Sequence, residues 1–247
     1  ALSLAQKEGF AEPDPTFDIS GQDAAQKTSI LATLSFFEHA VIENIYFEGI
    51  DKVTPQDINF GKQLELILKP LSVGQLSEGK ITLGSFPAFV KEKSLLASIE
   101  NESNAVLMNA ENVGETMYAG PGAGAKPTSN SVLSDIIDIA TGKIFDYQKF
   151  VESPLASSFE NFSCDHYLRF IVSDEPGVVA KISTVLAANN LSIDNLIQNE
   201  LDREDDAIPL VIVISNSKEK IMQNTISDLQ KLPEVKNSIS HIRILDI

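Results

Sequence analysis

Residues 167–182 read YLRFIVSDEPGVVAKI, and this stretch decides the fold of the C-terminal part of the chain. Its first six residues are mostly apolar and β-prone, which predicts a strand. The residues DEPG at 174–177 are a turn signal, and the apolar residues after them predict a helix over 178–189. The stretch therefore predicts a strand, a tight turn and a helix in immediate succession.

Outward from this stretch, the same kinds of pattern predict the remaining elements of the C-terminal part. Strands are predicted at 192–199, 209–215 and 237–245, an acidic turn at 202–206, and a second helix at 218–232. The resulting order, βαββαβ, is the ferredoxin-like arrangement. We therefore predict an α+β fold whose C-terminal module spans residues 166–247.

The N-terminal part mixes helices and strands in a less regular order. Helices are predicted over 23–42, after Thr54-Pro55 and over 128–141, and strands at 64–73, 80–90, 105–109 and 115–119. Turn residues at 77–79 join the first two strands as a hairpin. We expect a mixed-sheet domain over residues 1–145, a polar linker over 146–165, and the βαββαβ module after it.

Charge and cysteine content exclude several classes of function. The 247 residues carry 19 basic and 35 acidic side chains, a formal charge of −16, which disfavours nucleic acid or an anionic membrane as partner. Cys164 is the only cysteine, so an intrachain disulfide is impossible and a reducing cytoplasm suits the chain. His39, His166 and His241 are far apart in the sequence, and we expect no metal site.

Residues 9–27, GFAEPDPTFDISGQDAAQK, concentrate acidic side chains around one lysine. Asp23 and Lys27 are four residues apart at the start of the predicted helix, so they share one helical face. One interpretation is a solvated ion pair, with acids favoured near the helix N-terminus. The other is a proton-transfer site, in which a lysine that is protonated at neutral pH acts as an acid.

These residues resemble the substrate-site signature of homoserine dehydrogenases, G-[YF]-[AT]-E-x-D-P-x-x-D-[LVI]-x-G-x-D-x-x-x-K, at every fixed position. The resemblance implies reduction of L-aspartate 4-semialdehyde to L-homoserine with NADPH or NADH. It implies that Lys27, with Asp23 beside it, is catalytic and donates a proton to the carbonyl oxygen, where an ammonium group stabilises the developing charge. It also implies that Glu12 binds the ammonium group of the substrate and that Asp18, Asp23 and Lys27 line the same pocket.

Residues 120–125, GPGAGA, lie between a predicted strand and a predicted helix, as a dinucleotide fingerprint does. A Rossmann unit needs a second strand ending in an acid about 20 residues on, and the polar residues after 141 do not supply one. One interpretation that remains is a tight turn before a helix. Residues 118–136, however, resemble the loop that closes over the nicotinamide end of the cofactor, NADP or NAD, in homoserine dehydrogenases. That resemblance implies cofactor contacts from Gly120, Gly122, Ala123 and Gly124.

Residues 167–182 and 191–198 resemble the opening of an ACT domain, a module that binds small amino acids where its first strand meets its first helix. Gly177 suits such a site because backbone amides at a helix N-terminus can bind a carboxylate. The family suggests L-threonine as effector, and the resemblance implies contacts from Asp174, Pro176, Gly177, Val178, Asp194 and Asn195. The alternative is a module that only pairs chains. Open sheet edges favour pairing into a homodimer or homotetramer in either case.

Homoserine dehydrogenases place a Rossmann domain before the substrate motif, and this sequence shows none. Residue 1 is Ala and residues 1–9 read as the end of a helix, so we expect a fragment that binds no dinucleotide tightly and does not turn over. A second hypothesis is a stand-alone ACT-type regulatory protein that binds an amino acid. The intact set of acidic residues and Lys27 favours the enzyme.

Overall fold

The computed structural model describes residues 6–7, 13–143, 151–152, 158–199 and 207–247. Helices of this part are α1 (Thr16–Ile19), α2 (Gln22–Phe36), α3 (Pro55–Gln63), α4 (Ala125–Ala140), α5 (Val178–Ala188) and α6 (Glu219–Leu229). Its strands are β1 (Glu38–His39), β2 (Tyr46–Phe47), β3 (Leu66–Ser77), β4 (Lys80–Lys91), β5 (Ser103–Ala110), β6 (Gly114–Pro121), β7 (Val151–Glu152), β8 (Ser163–Ser173), β9 (Ile193–Gln198), β10 (Ala207–Lys218) and β11 (Ser240–Leu245). This mixture of helices and sheets confirms the predicted α+β class. None of the described helices combines the length and apolar character needed to span a bilayer.

A seven-stranded mixed sheet runs through both parts of the chain in the order β2-β4-β11-β8-β10-β9, with β3 also paired to β4. β3 pairs antiparallel with the whole of β4 and fills one of its edges. β2 and β11 share the other edge, where Tyr46 pairs with Gly84 and Arg243 pairs with Ala88, both in parallel. The C-terminal module is therefore joined to the N-terminal part by strand pairing.

The C-terminal module has the predicted βαββαβ order, and its four strands lie antiparallel in the order β11-β8-β10-β9. Its main core contains Leu168, Ile182 and Leu210, all fully buried. Each such side chain stabilises the fold by about 1.5–3 kcal/mol. Alternate residues of the same strands form a second cluster with Phe60 and Phe89 of the N-terminal part. Both faces of the module's sheet are therefore covered.

Helix α2 ends at Phe36, earlier than the predicted end at residue 42. Phe37 has a φ of +56°, in the left-handed region, which stops the helix. The chain then folds back, because the hydroxyl of Ser29 donates to the carbonyl of Ala40 at 2.5 Å and the amide of Ala40 donates to the hydroxyl of Thr33 at 3.1 Å. The apolar residues beyond Phe36 still follow helical spacing in the sequence, but the helix itself has already ended.

Helix α3 and the β3–β4 hairpin confirm their predictions. The Thr54 hydroxyl accepts from the amide of Asp57 at 3.3 Å, and Asp57 Oδ2 accepts from the amide of Thr54 at 3.0 Å, which makes a capping box. Glu78 and Gly79 have φ angles of +51° and +72°, the two left-handed residues of a hairpin turn whose twist matches its strands.

The predicted linker over 146–165 lies partly outside the described residues, and the acidic turn predicted at 202–206 lies wholly outside them. Where it is described, Phe159 and Phe162 are buried, and the ring of Phe159 stacks on Tyr46 with centroids 4.4 Å apart. β8 also begins at Ser163, inside the predicted linker. The described end of this interval is therefore packed structure rather than a polar connection.

Candidate functional site

Asp23 and Lys27 lie one turn apart on α2 and form an ion pair, with Lys27 Nζ 2.7 Å from Asp23 Oδ2. The side chain of Lys27 is 62% exposed and that of Asp23 is 35% exposed. An exposed pair of this kind contributes only about 0–1 kcal/mol to stability. The structure thus brings together the two residues predicted to be catalytic and leaves their polar atoms accessible to a ligand.

The remaining predicted substrate residues precede α2. Asp18 is exposed on α1, a one-turn helix that packs against α2. Asp14 orders the start of α1, because its Oδ1 accepts hydrogen bonds from the Thr16 hydroxyl at 2.7 Å and the Thr16 amide at 3.1 Å. These two bonds hold the pKa of Asp14 below its usual value. Glu12 lies outside the described residues, so its role, like that of Asp18, stays a prediction.

The glycine loop, residues 120–124, connects β6 to α4. β6 pairs antiparallel with β5 in a separate two-stranded sheet, so the loop does not belong to a parallel βαβ unit of the Rossmann kind. α4 begins at Ala125, before the predicted start at 128, because Gly124 adopts a φ of +114° directly before it. Pro127 falls in the first turn of the helix, where its missing N–H breaks no hydrogen bond.

Gly122 lies against the side chain of Asn104 across the hairpin. The amide of Gly122 donates to the carbonyl of Glu102 at 2.8 Å, and a Cβ atom at residue 122 would lie 2.2 Å from Asn104 Nδ2. Only glycine fits there without displacing Asn104. All residues of the glycine loop are exposed, so its backbone is accessible to a ligand. Asn104 was not predicted, because hairpin register rather than local sequence brings it to the loop.

Apolar side chains are exposed on α4, which follows the glycine loop, and on α2, which carries Lys27. No residue of α4 is buried, and α2 continues the same pattern after Lys27. The exposed apolar residues are Val132, Leu133, Ile136, Ile137 and Ile139 on α4, and Ile30, Leu31 and Leu34 on α2. Each of the two helices thus exposes several apolar side chains on neighbouring turns, which indicates a contact surface.

A cavity of about 330 Å³ lies beside the turn at 174–177. It is lined by four predicted effector residues, Asp174, Pro176, Gly177 and Val178, and also by Val172, Ser173, Glu175, Val179, Gln198 and Leu210. Gly177 has a φ of +94° and directly precedes α5, so the N-terminus of an 11-residue helix borders the cavity.

The structure does not place Asp194 and Asn195 among the residues that line this cavity. Both are exposed, and Asp194 Oδ1 accepts a hydrogen bond from the Ser215 hydroxyl at 2.6 Å. Gln198, farther along β9, takes the place that the sequence assigned to them. Local sequence could not show this, because the registers of β8, β10 and β9 decide which part of β9 lies next to the turn.

Two buried arginines of the C-terminal module contact carboxylates of the N-terminal part, and neither was predicted from the sequence. Arg169 on β8 donates to Asp57 through Nε at 2.7 Å and Nη2 at 3.1 Å. Arg243 on β11 donates to Glu219 Oε2 at 3.0 Å and to Glu48 Oε2 at 2.9 Å. We call these contacts the Arg169 seam and the Arg243 seam. An arginine inside an otherwise apolar strand was the available signal, because a buried charge requires a partner.

His166 and His241 lie together, which the sequence separation of 75 residues concealed. His166 Nδ1 is 2.9 Å from His241 Nε2, and the possible ligand atoms of this pair and Glu219 lie within 4.8 Å of one another. These atoms already have partners, because His166 Nε2 is 3.1 Å from the carbonyl of Ser217 and Glu219 binds Arg243. Burial lowers the pKa of both histidines. The geometry is a hydrogen-bonded pair of neutral rings, and the expectation of no metal site stays a prediction.

Comparison with known proteins gives consistent matches over both parts. A family model described as homoserine dehydrogenase matches residues 1–137, and an ACT domain model matches residues 166–234. The homoserine dehydrogenase of Helicobacter pylori is 36% identical over 247 residues, which cover 99% of this chain and 58% of that protein. The homoserine dehydrogenase of Bacillus subtilis is 36% identical over 251 residues, which cover 96% of this chain and 57% of that protein.

A solved structure of a homoserine dehydrogenase from Thiobacillus denitrificans matches with a TM-score of 0.89 at 32% identity, over 99% of this chain and 57% of that one. Fold and sequence together define a region of the homoserine dehydrogenase type followed by an ACT domain. The chain belongs to the homoserine dehydrogenase family, as the signature motifs predicted. It spans about 58% of the length of the curated relatives it matches.

Proposed function

We propose that this chain supplies the substrate-binding, catalytic and regulatory parts of an enzyme that reduces L-aspartate 4-semialdehyde to L-homoserine. The observation that supports this is the contact of 2.7 Å between Lys27 Nζ and Asp23 Oδ2 on an accessible helix face, within a complete substrate-site signature. An exposed ion pair with no chemical role would not need the signature that surrounds it. The stand-alone ACT regulator is the second candidate, and the cavity beside 174–177 is what favours it.

In the proposed reaction, hydride brings an electron pair to the aldehyde carbon, and the carbonyl oxygen takes a proton. Lys27 donates a hydrogen bond from Nζ to that oxygen, stabilises its negative charge and then transfers the proton. Asp23 holds the ammonium group in position through the contact at 2.7 Å. Glu12 binds the α-ammonium group of the substrate, and Asp18 lines the same pocket. The neutral amine of Lys27 regains its proton from water after each turnover.

The glycine loop is the part of this chain proposed to contact the nicotinamide cofactor, NADP or NAD, which supplies hydride when bound. The residues fit such a group, since Gly122 lies tightly against Asn104 while the backbone of the loop is exposed. We propose that the apolar faces of α2 and α4 contact the nucleotide-binding region carried by the rest of the relatives' length. This chain alone is expected to bind no dinucleotide tightly, and fluorescence titration with NADPH tests that. Micromolar affinity would contradict it.

Substitution of the lysine tests the catalytic proposal. Joined to the nucleotide-binding region of a relative, this chain is expected to lose turnover by about 10²–10⁴-fold on Lys27→Ala, because the general acid is removed. Lys80→Ala is the matched control, since Lys80 is an exposed lysine at the start of β4. Equal turnover of the Lys27→Ala protein and the unsubstituted fusion would reject the assignment.

We propose that the cavity beside 174–177 binds L-threonine as an effector. The N-terminus of α5 suits a carboxylate, and Asp174 and Glu175 supply negative charge for an ammonium group. Calorimetry with this chain is expected to show binding of L-threonine and not of L-methionine. Threonine binding combined with no turnover in the unsubstituted fusion would favour the stand-alone regulator.

We also propose that two chains pair through β9 to form a homodimer or homotetramer. In the part of the sheet that the structure describes, β9 pairs with β10 on one side and forms the end of the strand order. An open edge strand is a template for pairing with a second chain. Analytical ultracentrifugation tests this, and a monomer at tens of micromolar concentration would contradict it.

A further inference from the structure

The Arg243 seam surrounds one guanidinium group with partners from both parts of the chain. The side chain of Arg243 is fully buried. Its Nη1 lies 2.9 Å from Glu48 Oε2, and its Nη2 lies 2.5 Å from Glu219 Oε1 and 3.0 Å from the Tyr46 hydroxyl. The Tyr46 hydroxyl in turn donates to Glu48 Oε2 at 2.9 Å. The carboxylate of Glu48 is thus held by two donors, one of which belongs to the ACT domain.

The backbone that carries Glu48 supports the turn before α2. The amide of Glu48 donates to the carbonyl of Ser85 at 2.9 Å, which ties this segment to β4. The amide of Ile50 donates to the carbonyl of Ile19 at 3.0 Å. A Cβ atom at Gly21 would lie 2.8 Å from the carbonyl oxygen of Glu48, so the two segments touch through their backbones.

That turn sets the start of the helix that carries the ion pair. Gly21 has a φ of +83° and precedes α2, and its carbonyl accepts from the amide of Ala25 at 2.9 Å. Asp23 and Lys27 follow within the first two turns of the helix. A displacement of residues 48–50 would therefore shift the beginning of α2 and, with it, the Asp23–Lys27 pair.

The Arg169 seam provides an internal comparison, because it joins the same two parts with the same chemistry at another place. Arg169 binds Asp57 and, through Nη1, Gln56 Oε1 at 3.3 Å. These partners lie on α3, which packs against β3 and carries none of the predicted site residues. Both seams attach the C-terminal module, but they reach the turn at residues 19–21 differently. Arg169 reaches it indirectly, through Thr54 and the Val53 amide, which donates to the Ile50 carbonyl at 3.2 Å. Glu48 of the Arg243 seam lies against Gly21 through its own backbone.

We propose that Arg243 of the ACT domain and Glu48 are positioning residues for the Asp23–Lys27 pair, with Glu48 holding the turn before α2. The effect on catalysis rests on the proposed function, whereas the structural link from Arg243 through Glu48 to the turn before α2 does not depend on it. It gives the ACT domain a direct structural role in the arrangement of the substrate helix. Neither residue touches the substrate in this proposal.

Hydrogen exchange of the 247-residue chain tests the structural part. Glu48→Ala is expected to raise the exchange rates of the Ile50 and Ala25 amides about tenfold or more, because a hydrogen bond to a charged group is lost. The amide of Lys236, which bonds to the carbonyl of Ile171 within the C-terminal module, is the reference. The exchange rates at Ile50 and Ala25 should rise by a larger factor than the rate at Lys236, because Lys236 responds only to the overall loss of stability. Glu48→Gln keeps an acceptor and should restore most of the protection.

Gln56→Ala is the matched control, since it removes one partner of the arginine in the other seam. Exchange that rises at Ile50 and Ala25 for Glu48→Ala alone supports the proposal. Unchanged exchange at these amides, or an equal rise with Gln56→Ala, overturns it. If Glu48→Ala fails to fold, Arg243→Lys, which keeps the charge but loses the fork of donors, gives the same comparison.

Turnover of the fusion with a relative's nucleotide-binding region tests the catalytic part. Glu48→Ala is expected to lower kcat/KM about tenfold, with recovery in Glu48→Gln and no loss in Gln56→Ala. Failure of the proposed function appears as unchanged turnover in Lys27→Ala, whatever the exchange rates show. Failure of the present inference appears as unchanged hydrogen exchange at the Ile50 and Ala25 amides in Glu48→Ala, whatever turnover the Lys27→Ala fusion shows.

Discussion

Removal of Asp57 breaks the Arg169 seam and is the most informative perturbation of stability. Asp57 is fully buried and accepts from Arg169, from the Tyr167 hydroxyl at 3.2 Å and from the Thr54 hydroxyl at 2.6 Å. Burial alone would raise the pKa of Asp57, but the hydrogen bonds from Arg169 and Thr54 outweigh it and hold that pKa below its usual 3.8. The carboxylate is therefore charged at neutral pH and balances the buried guanidinium.

Asp57→Ala is expected to lower the free energy of unfolding by about 4–6 kcal/mol. Leaving one partner of a buried ion pair costs about 3–5 kcal/mol, and loss of the capping interaction at Thr54 adds about 1 kcal/mol. Urea unfolding of this chain measures the change. Asp228→Ala is the control, because its pair with Lys231 at 2.8 Å is exposed and should contribute less than about 1 kcal/mol.

A double-mutant cycle separates the ion pair from the cap. Adding Arg169→Met to Asp57→Ala should recover part of the lost stability, because the unpaired guanidinium disappears. The reasoning is refuted if Asp57→Ala costs less than about 1 kcal/mol, or if the effects of the two substitutions simply add.

Two further predictions concern the glycine loop and the histidine pair. Gly122→Ala places a methyl group on the exposed side chain of Asn104 and should lower the free energy of unfolding in urea by up to about 1 kcal/mol, because Asn104 has to rotate away. Gly120→Ala, with no atom within 4 Å of its Cβ, should have little effect. Equal effects would contradict the close approach. Between pH 7.5 and 5.5, the free energy of unfolding should fall, by at most about 1.4 kcal/mol for each of His166 and His241. Burial keeps the pKa values of both histidines in the folded chain below the usual 6.5. As the pH falls, the unfolded chain therefore takes up protons first. The contribution of the two histidines to stability is present above pH 6.5 and is lost as the pH falls toward their pKa values in the folded chain. Unfolding at several pH values measures this, and a slope that persists after both are replaced by Asn would count against it.

Local sequence predicted the elements well where their signals are local. The capping box of Thr54 and the turn at Glu78-Gly79 depend on a few neighbouring residues, and the structure has both. The end of α2 was predicted too late, since Phe37 and the hydroxyl contacts of Ser29 and Thr33 with Ala40 turn the chain away from the helix. Apolar spacing alone does not report such contacts.

Long-range pairing is what the sequence could not predict. The parallel pairing of Arg243 with Ala88 joins residues far apart in the chain, and it makes one sheet of two predicted units. The same pairing brings Arg243 to Glu48, and the antiparallel pairing of β8 with β11 brings His166 to His241. Strand register, which depends on the whole fold, creates these contacts.

The position of β11 between β4 and β8 has a consequence for biogenesis. It is the last described strand to leave the ribosome, yet it occupies the middle of the sheet. Until residues 240–245 emerge from the exit tunnel, β4 and β8 each present an unpaired edge, and such edges promote misassembly between nascent chains. During synthesis, both parts of the sheet therefore remain prone to misassembly until β11 is available to pair with β4 and β8.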